Sequence, residues 1–67
     1  MYISNVKYYR ELINMHQSTL AVITGLSCGY INHLESGKRK NPSIKTMEKV
    51  AKALNRTVEE VFFKQIQ

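Results

Sequence analysis

The stretch Gln17-Ser18-Thr19-Leu20-Ala21-Val22-Ile23-Thr24-Gly25-Leu26-Ser27-Cys28-Gly29-Tyr30-Ile31-Asn32-His33-Leu34-Glu35-Ser36 decides the fold. It reads as two short helices joined by a turn centred on Gly25. The first spans 17–24, with Leu20, Ala21 and Ile23 directed inward. Gly25 ends it, because glycine enters the left-handed conformation without a Cβ penalty. Ser27 is a good N-cap for the second helix, which runs to about residue 35. Helices this short cannot each bury a face alone, so they must cross closely. Ala21, four residues before Gly25, is small enough to allow the crossing. Leu26 points inward from the turn, and Ile31 and Leu34, three apart, give the second helix its inward positions.

The same reading extends to both sides. Asn5 can cap a first helix from residue 6 to about 15, with Val6, Tyr9, Leu12 and Ile13 on one face. After Gly37, Pro42 forbids helix continuation and pushes Asn41 towards extended geometry. Ser43 caps a fourth helix whose apolar residues Ile44, Met47, Val50, Ala51 and Leu54 step by three and four. Asn55 tolerates the left-handed turn at its end. Thr57-Val58-Glu59-Glu60 reads as a capping box opening a short fifth helix. The expectation is an all-α, compact five-helix bundle. The β-prone ends, Met1-Tyr2-Ile3 and Phe62-Phe63-Lys64-Gln65-Ile66, suggest a short two-strand pairing of the termini.

Composition limits the alternatives. With 67 residues the chain has room for one domain, 1–67. Hydrophobic residues at 43% and charged residues at 22% are ordinary for a folded soluble domain rather than a disordered tail. A single cysteine, Cys28, excludes an intrachain disulfide and any cysteine-built zinc site. Together with the lack of a leader-like start, this suggests a reducing, cytoplasmic location on the nucleoid. No apolar run is long enough to span a membrane, so no membrane partner is expected. Ten Lys+Arg against five Asp+Glu give +5 at pH 7, which points to a polyanionic partner, nucleic acid before an acidic membrane.

A short helix, a Gly-centred turn and a second helix with inward positions three apart make the pattern of a DNA-binding helix-turn-helix, here over 17–36. The residues also carry a family resemblance. Gln17, Leu20-Ala21, Gly25, Ser27, Ile31, Glu35-Ser36-Gly37 and Asn41-Pro42 stand in register, and the likeness runs from Arg10 to Leu54. The chain thereby resembles the phage-repressor/Cro-type (Xre), lambda-repressor-like helix-turn-helix family. That resemblance implies a bundle of about five helices and regulation of transcription, usually by symmetric dimers on short inverted repeats. It also implies an internal ion pair between Arg10 and Glu35.

Geometry assigns the remaining roles. If Ile31 and Leu34 face the core, Cys28, Gly29, Asn32 and His33, with Ser36 at the end, face outward where base edges would be read. Asn32 offers both a donor and an acceptor, and His33 offers either. Ser27 and the free amides at its helix start suit a phosphate, as do Gln17 and the N–H groups beside it. The resemblance implies that Gln17 grips the DNA backbone. Tyr30 can pack on Leu34 or reach a phosphate. Lys38, Arg39 and Lys40, three cations on the loop after the second helix, suit phosphates or the adjacent minor groove, and the resemblance implies that this loop with Asn41 touches the DNA backbone. Gly29 departs from the family, which often has a long polar side chain there. Cys28 reads first as a small filler rather than a redox group. Cys28, His16 and His33 lack the spacing of a metal site.

Val58, Val61, Phe62, Phe63 and Ile66 crowd the tail, more apolar residues than so small a core should hold. They suggest a dimer through 57–67, with Tyr2 and Ile3, the alternative being a monomer whose tail folds back over the first helix. No catalytic constellation, cofactor motif, metal site or small-molecule ligand is evident, so a non-enzyme is expected. The leading reading is a sequence-specific double-stranded DNA-binding transcriptional regulator, a repressor binding an inverted-repeat operator as a homodimer. The alternative is an antitoxin-like or other protein-interaction module with DNA contact secondary.

Overall fold

A computed structural model describes residues 3–38 and 42–66. They form five helices: α1 (Val6–Leu12), α2 (Gln17–Thr24), α3 (Cys28–Ser36), α4 (Ile44–Ala53) and α5 (Val58–Phe62). Local chemistry sets most of the boundaries. Gly25 and Gly37 adopt left-handed φ of 76° and 82° at the ends of α2 and α3. The Ser27 and Ser43 hydroxyls accept the N–H groups of Tyr30 and Thr46, each at 3.1 Å, capping α3 and α4. At α5 the capping box is complete. Thr57 Oγ1 accepts the Glu60 N–H at 3.1 Å, and Glu60 Oε1 accepts the Thr57 N–H at 2.9 Å.

That second bond, from the Thr57 backbone, holds the Glu60 carboxyl below its usual carboxylate range. A depressed carboxylate contributes stability that is present above its unfolded value and lost as pH falls through the folded one. The expected result is that Glu60→Gln lowers the urea midpoint near neutral pH and that the difference closes in acid. An equal difference at both ends of the titration would show that the carboxylate charge is irrelevant to the cap.

α1 is shorter than its periodicity suggests, and Asn14 is the reason. It takes a left-handed φ of 55°. The Met15 N–H then donates back to the Arg10 carbonyl at 2.9 Å and the Asn14 N–H to Glu11 at 3.0 Å, a Schellman closure. Leu12 and Ile13, expected inward, are therefore left exposed. Asn55, at φ 58°, closes α4 in the same way through Arg56 N–H to Ala51 and Asn55 N–H to Lys52.

The core is built from Val6, Tyr9, Leu20, Ala21, Ile31, Leu34, Met47, Val50, Ala51, Leu54, Val61 and Phe62, with Leu26 and Val58 half-buried against it. Two further expected inward residues are absent from it. Ile44 lies on the first turn of α4 and is exposed. Ile23 is exposed, and Thr24 is buried in its place. The Thr24 hydroxyl donates to the Leu20 carbonyl at 2.8 Å and accepts the Leu26 N–H at 3.3 Å, so its burial leaves no polar atom unsatisfied.

Asn5 does not cap α1 with its side chain: its φ of −108° and ψ of 18° are wrong for that role. It is buried and its amide donates to the carbonyls of Glu60 at 2.8 Å and Lys64 at 2.7 Å. The backbone N–H groups of Ile3 and Asn5 donate to Phe62 and Val61 at 2.6 and 2.7 Å. The termini thus meet, but no strand forms among the described residues. The N-terminal segment supplies donors for the otherwise open carbonyls of α5.

Candidate nucleic-acid interface

α2 and α3 cross as expected. Ala21 is buried at the crossing, Gly25 makes the turn, and Ile31 and Leu34 are fully buried. The opposite side of α3 is solvent-facing: Cys28, Gly29, Asn32, His33 and Ser36 are all exposed. A Cβ added at Gly29 would meet nothing within 4 Å, so packing within the chain does not require glycine there. Its absence of a side chain instead leaves the α3 backbone open to close approach by a ligand.

One buried polar cluster fixes α3. Arg10 Nε donates to Glu35 Oε2 at 2.6 Å and Nη2 to Oε1 at 3.0 Å, a two-pronged fork between α1 and α3. Their side chains are 10% and 5% exposed. Arg10 Nη1 also donates to the Met15 carbonyl at 2.6 Å. Donating to the Glu35 carboxylate raises the guanidinium's pKa and keeps it charged. Gln17 adds a third arm, its amide N–H donating to Glu35 Oε1 at 2.9 Å.

That last bond corrects the simplest reading of Gln17. Its amide nitrogen is directed to Glu35 rather than held free for a phosphate. What it can offer DNA is the amide oxygen's side of the half-buried group and the N–H groups opening α2, which helix geometry leaves without intrahelical partners. Ser27 is similar: its oxygen serves the α3 cap, leaving the hydroxyl proton for a ligand. Tyr30 is half-buried and packs on the core. Lys38 is exposed beside the end of α3. Arg39, Lys40 and Asn41 lie outside the described residues.

Lys7 was not singled out by sequence. It lines a cleft of about 390 Å³ with Gln17, Asn32 and Ser36, beside the exposed face of α3. The available signal was its position three before Arg10, on the same side of α1.

The tail divides in two. Val61 and Phe62 are fully buried within the single chain and have no side-chain surface for a partner, which corrects their assignment to a dimer interface. Val58 packs on the core, half-buried. Phe63 is 48% exposed and Ile66 half-buried, so these two remain available. Among the described residues no three His, Cys, Asp or Glu side chains group as metal ligands. No described helix is long and apolar enough to cross a membrane.

Comparison with known proteins agrees with this geometry. The sequence model of a helix-turn-helix family matches residues 6–61. The chain is 39% identical over 61 residues to the control protein C.SmaI of Serratia marcescens, covering 91% of this chain and 71% of that protein. It is 37% identical over 59 residues to an uncharacterized HTH-type transcriptional regulator of Archaeoglobus fulgidus, covering 88% and 82% of the two chains. Among solved structures it is similar to SinR, the master regulator for biofilm formation, in complex with DNA. The TM-score is 0.77 with 33% identity, over 82% of this chain and 87% of that one. A bundle that exposes one face of α3, matched along nearly its whole length in sequence and backbone, belongs to the Xre/Cro-type helix-turn-helix family of transcriptional regulators.

Proposed function

We propose that this protein is a repressor that binds a specific inverted repeat in double-stranded DNA as a homodimer, with α3 in the major groove. The observation that carries the reading is the division of α3: Ile31 and Leu34 fully buried, Asn32 and His33 exposed. Such a helix is anchored through one side and has hydrogen-bonding groups on the other, which is what base reading requires. The likeness to the SinR–DNA complex supports it.

Cys28, Gly29, Asn32, His33 and Ser36 form the reading face in this proposal, and Gln17, Ser27, Tyr30, Lys38, Arg39, Lys40 and Asn41 hold the backbone. A protomer of 26 × 22 × 19 Å is small enough for two copies, related by a two-fold axis through Phe63 and Ile66, to set their α3 helices ~34 Å apart, one turn of DNA.

Selection of binding sites from random duplexes tests the reading. A symmetric consensus is expected. Asn32→Ala and His33→Ala should relax the preference at particular base pairs, by about 1–3 kcal/mol each. Lys38→Ala should weaken binding to all sequences alike and flatten the salt dependence by about 0.9 per lost phosphate contact. If both α3 variants select the wild-type consensus, α3 is not the reading helix.

A further inference from the structure

The outer side of α2 carries apolar surface that the reading helix does not use. Val22 is 82% exposed and Ile23 is 55% exposed, although Leu20, Ala21 and Thr24 of the same helix are buried. Leaving two adjacent branched side chains in water is unfavourable in proportion to their apolar area. Exposed apolar side chains beside a groove are candidates for an interaction surface. Ile23 and Thr24 form one wall of an open groove of about 520 Å³, and Lys49, Lys52 and Ala53 of α4 form the other. No α3 residue lines it.

The groove's charge has one sign. Lys49 and Lys52 are exposed, three apart on one side of α4, with Lys45 a turn earlier. Among the described residues the ion pairs are Arg10–Glu35 and Arg56–Glu60, so neither groove lysine is held in one. Glu48, the one acidic residue of α4, does not line this groove; it lines a neighbouring depression that Lys52 also borders, with Asn55, Arg56 and Glu60.

We infer that this groove docks an acidic, apolar segment of another protein. Carboxylates of that segment meet Lys49 and Lys52, and an apolar side chain covers Ile23 and extends to Val22. A second copy of this chain fits poorly, because a two-fold contact would set the same lysines against each other. A nucleic-acid backbone would satisfy the lysines but offer no apolar partner to Ile23. Because the groove lies between α2 and α4, its occupant leaves the exposed face of α3 clear, and one protomer can hold DNA and a protein together.

The test uses the full chain, isotope-labelled, titrated with a synthetic amphipathic peptide carrying Leu and Glu at helical spacing. The amide signals of Ile23, Thr24, Lys49, Lys52 and Ala53 should move together and saturate. The same peptide with Lys in place of Glu should leave them still. Ile23→Ser and Lys49→Glu/Lys52→Glu change exposed positions, and each should weaken the peptide by about tenfold or more while the selected DNA sequence stays the same. Equal peptide affinity in Ile23→Ser, or shifts spread over α3, would overturn the proposal. A random duplex that moves the groove signals as strongly as the peptide would make the surface a phosphate contact and overturn it too.

Discussion

Glu35→Ala is expected to lower the unfolding free energy by about 3–5 kcal/mol, the range for removing one partner of a buried ion pair. For a domain whose total is on the order of 5–15 kcal/mol, that is enough to leave a large share of molecules unfolded at moderate temperature. The magnitude follows from what the variant strands. Arg10 keeps its bond to the Met15 carbonyl, but Nε and Nη2 lose both acceptors while the side chain stays 10% exposed. The Gln17 amide loses its acceptor as well. An exposed pair would be worth only about 0–1 kcal/mol, so the size of the loss distinguishes a buried clamp from a surface contact. Urea unfolding followed by circular dichroism measures it, and a loss under about 1 kcal/mol would assign the pair to the surface class.

Replacing both partners, as in Arg10→Met/Glu35→Leu, separates stability from orientation. No charge is then left uncompensated, and stability should recover most of the way. The three hydrogen-bonded arms that set α3 against α1 and α2 stay missing. If the cluster positions the reading helix, the double variant folds and still discriminates poorly among DNA sequences. Wild-type discrimination in that variant would reduce the cluster to a packing element.

The sequence was most readable where a local hydrogen bond decides the backbone. Ser27, Ser43 and the Thr57–Glu60 box cap the helices they were expected to cap, and Gly25 and Asn55 adopt the left-handed turns assigned to them. It was less readable where a polar group finds an unexpected partner. Asn14 does for α1 what Asn55 does for α4, but an apolar stripe continuing through Leu12 and Ile13 masks it. Thr24 displaces Ile23 from the interior because its hydroxyl bonds back to Leu20, and a pattern of apolar positions does not register that. Asn5 and the Glu60 and Lys64 carbonyls it holds are 55 and 59 residues apart, so no local motif pairs them.

These misreadings are connected. Counting Leu12, Ile13, Ile23 and Ile44 as core makes the interior look full and the tail residues look surplus. All four are exposed, and Val61 and Phe62 occupy the interior with no exposed surface. The outward side of α3 was legible because it follows from Ile31 and Leu34 alone: once those two are buried, helical geometry turns Asn32 and His33 outward.

Phe62→Ala distinguishes the two accounts of the tail. As a fully buried aromatic packed among the core residues, Phe62 should cost about 3–5 kcal/mol on truncation to alanine. In a chain of this size that moves the thermal midpoint down by more than about 10 °C. Loss of an internal contact destabilises the protomer itself, so the drop should persist unchanged on dilution. Loss of a subunit contact would instead give a drop that shrinks on dilution, because the wild-type dimer, stabilised by mass action, then dissociates as well. Phe63→Ser is the companion variant. Phe63 is half exposed, so its replacement should leave the dilute-solution midpoint nearly unmoved while weakening self-association and the preference for two properly spaced half-sites. Thermal unfolding at several concentrations, with sedimentation equilibrium on the same samples, measures both. A Phe62→Ala protein that keeps its midpoint but sediments as a monomer would return that ring to the interface.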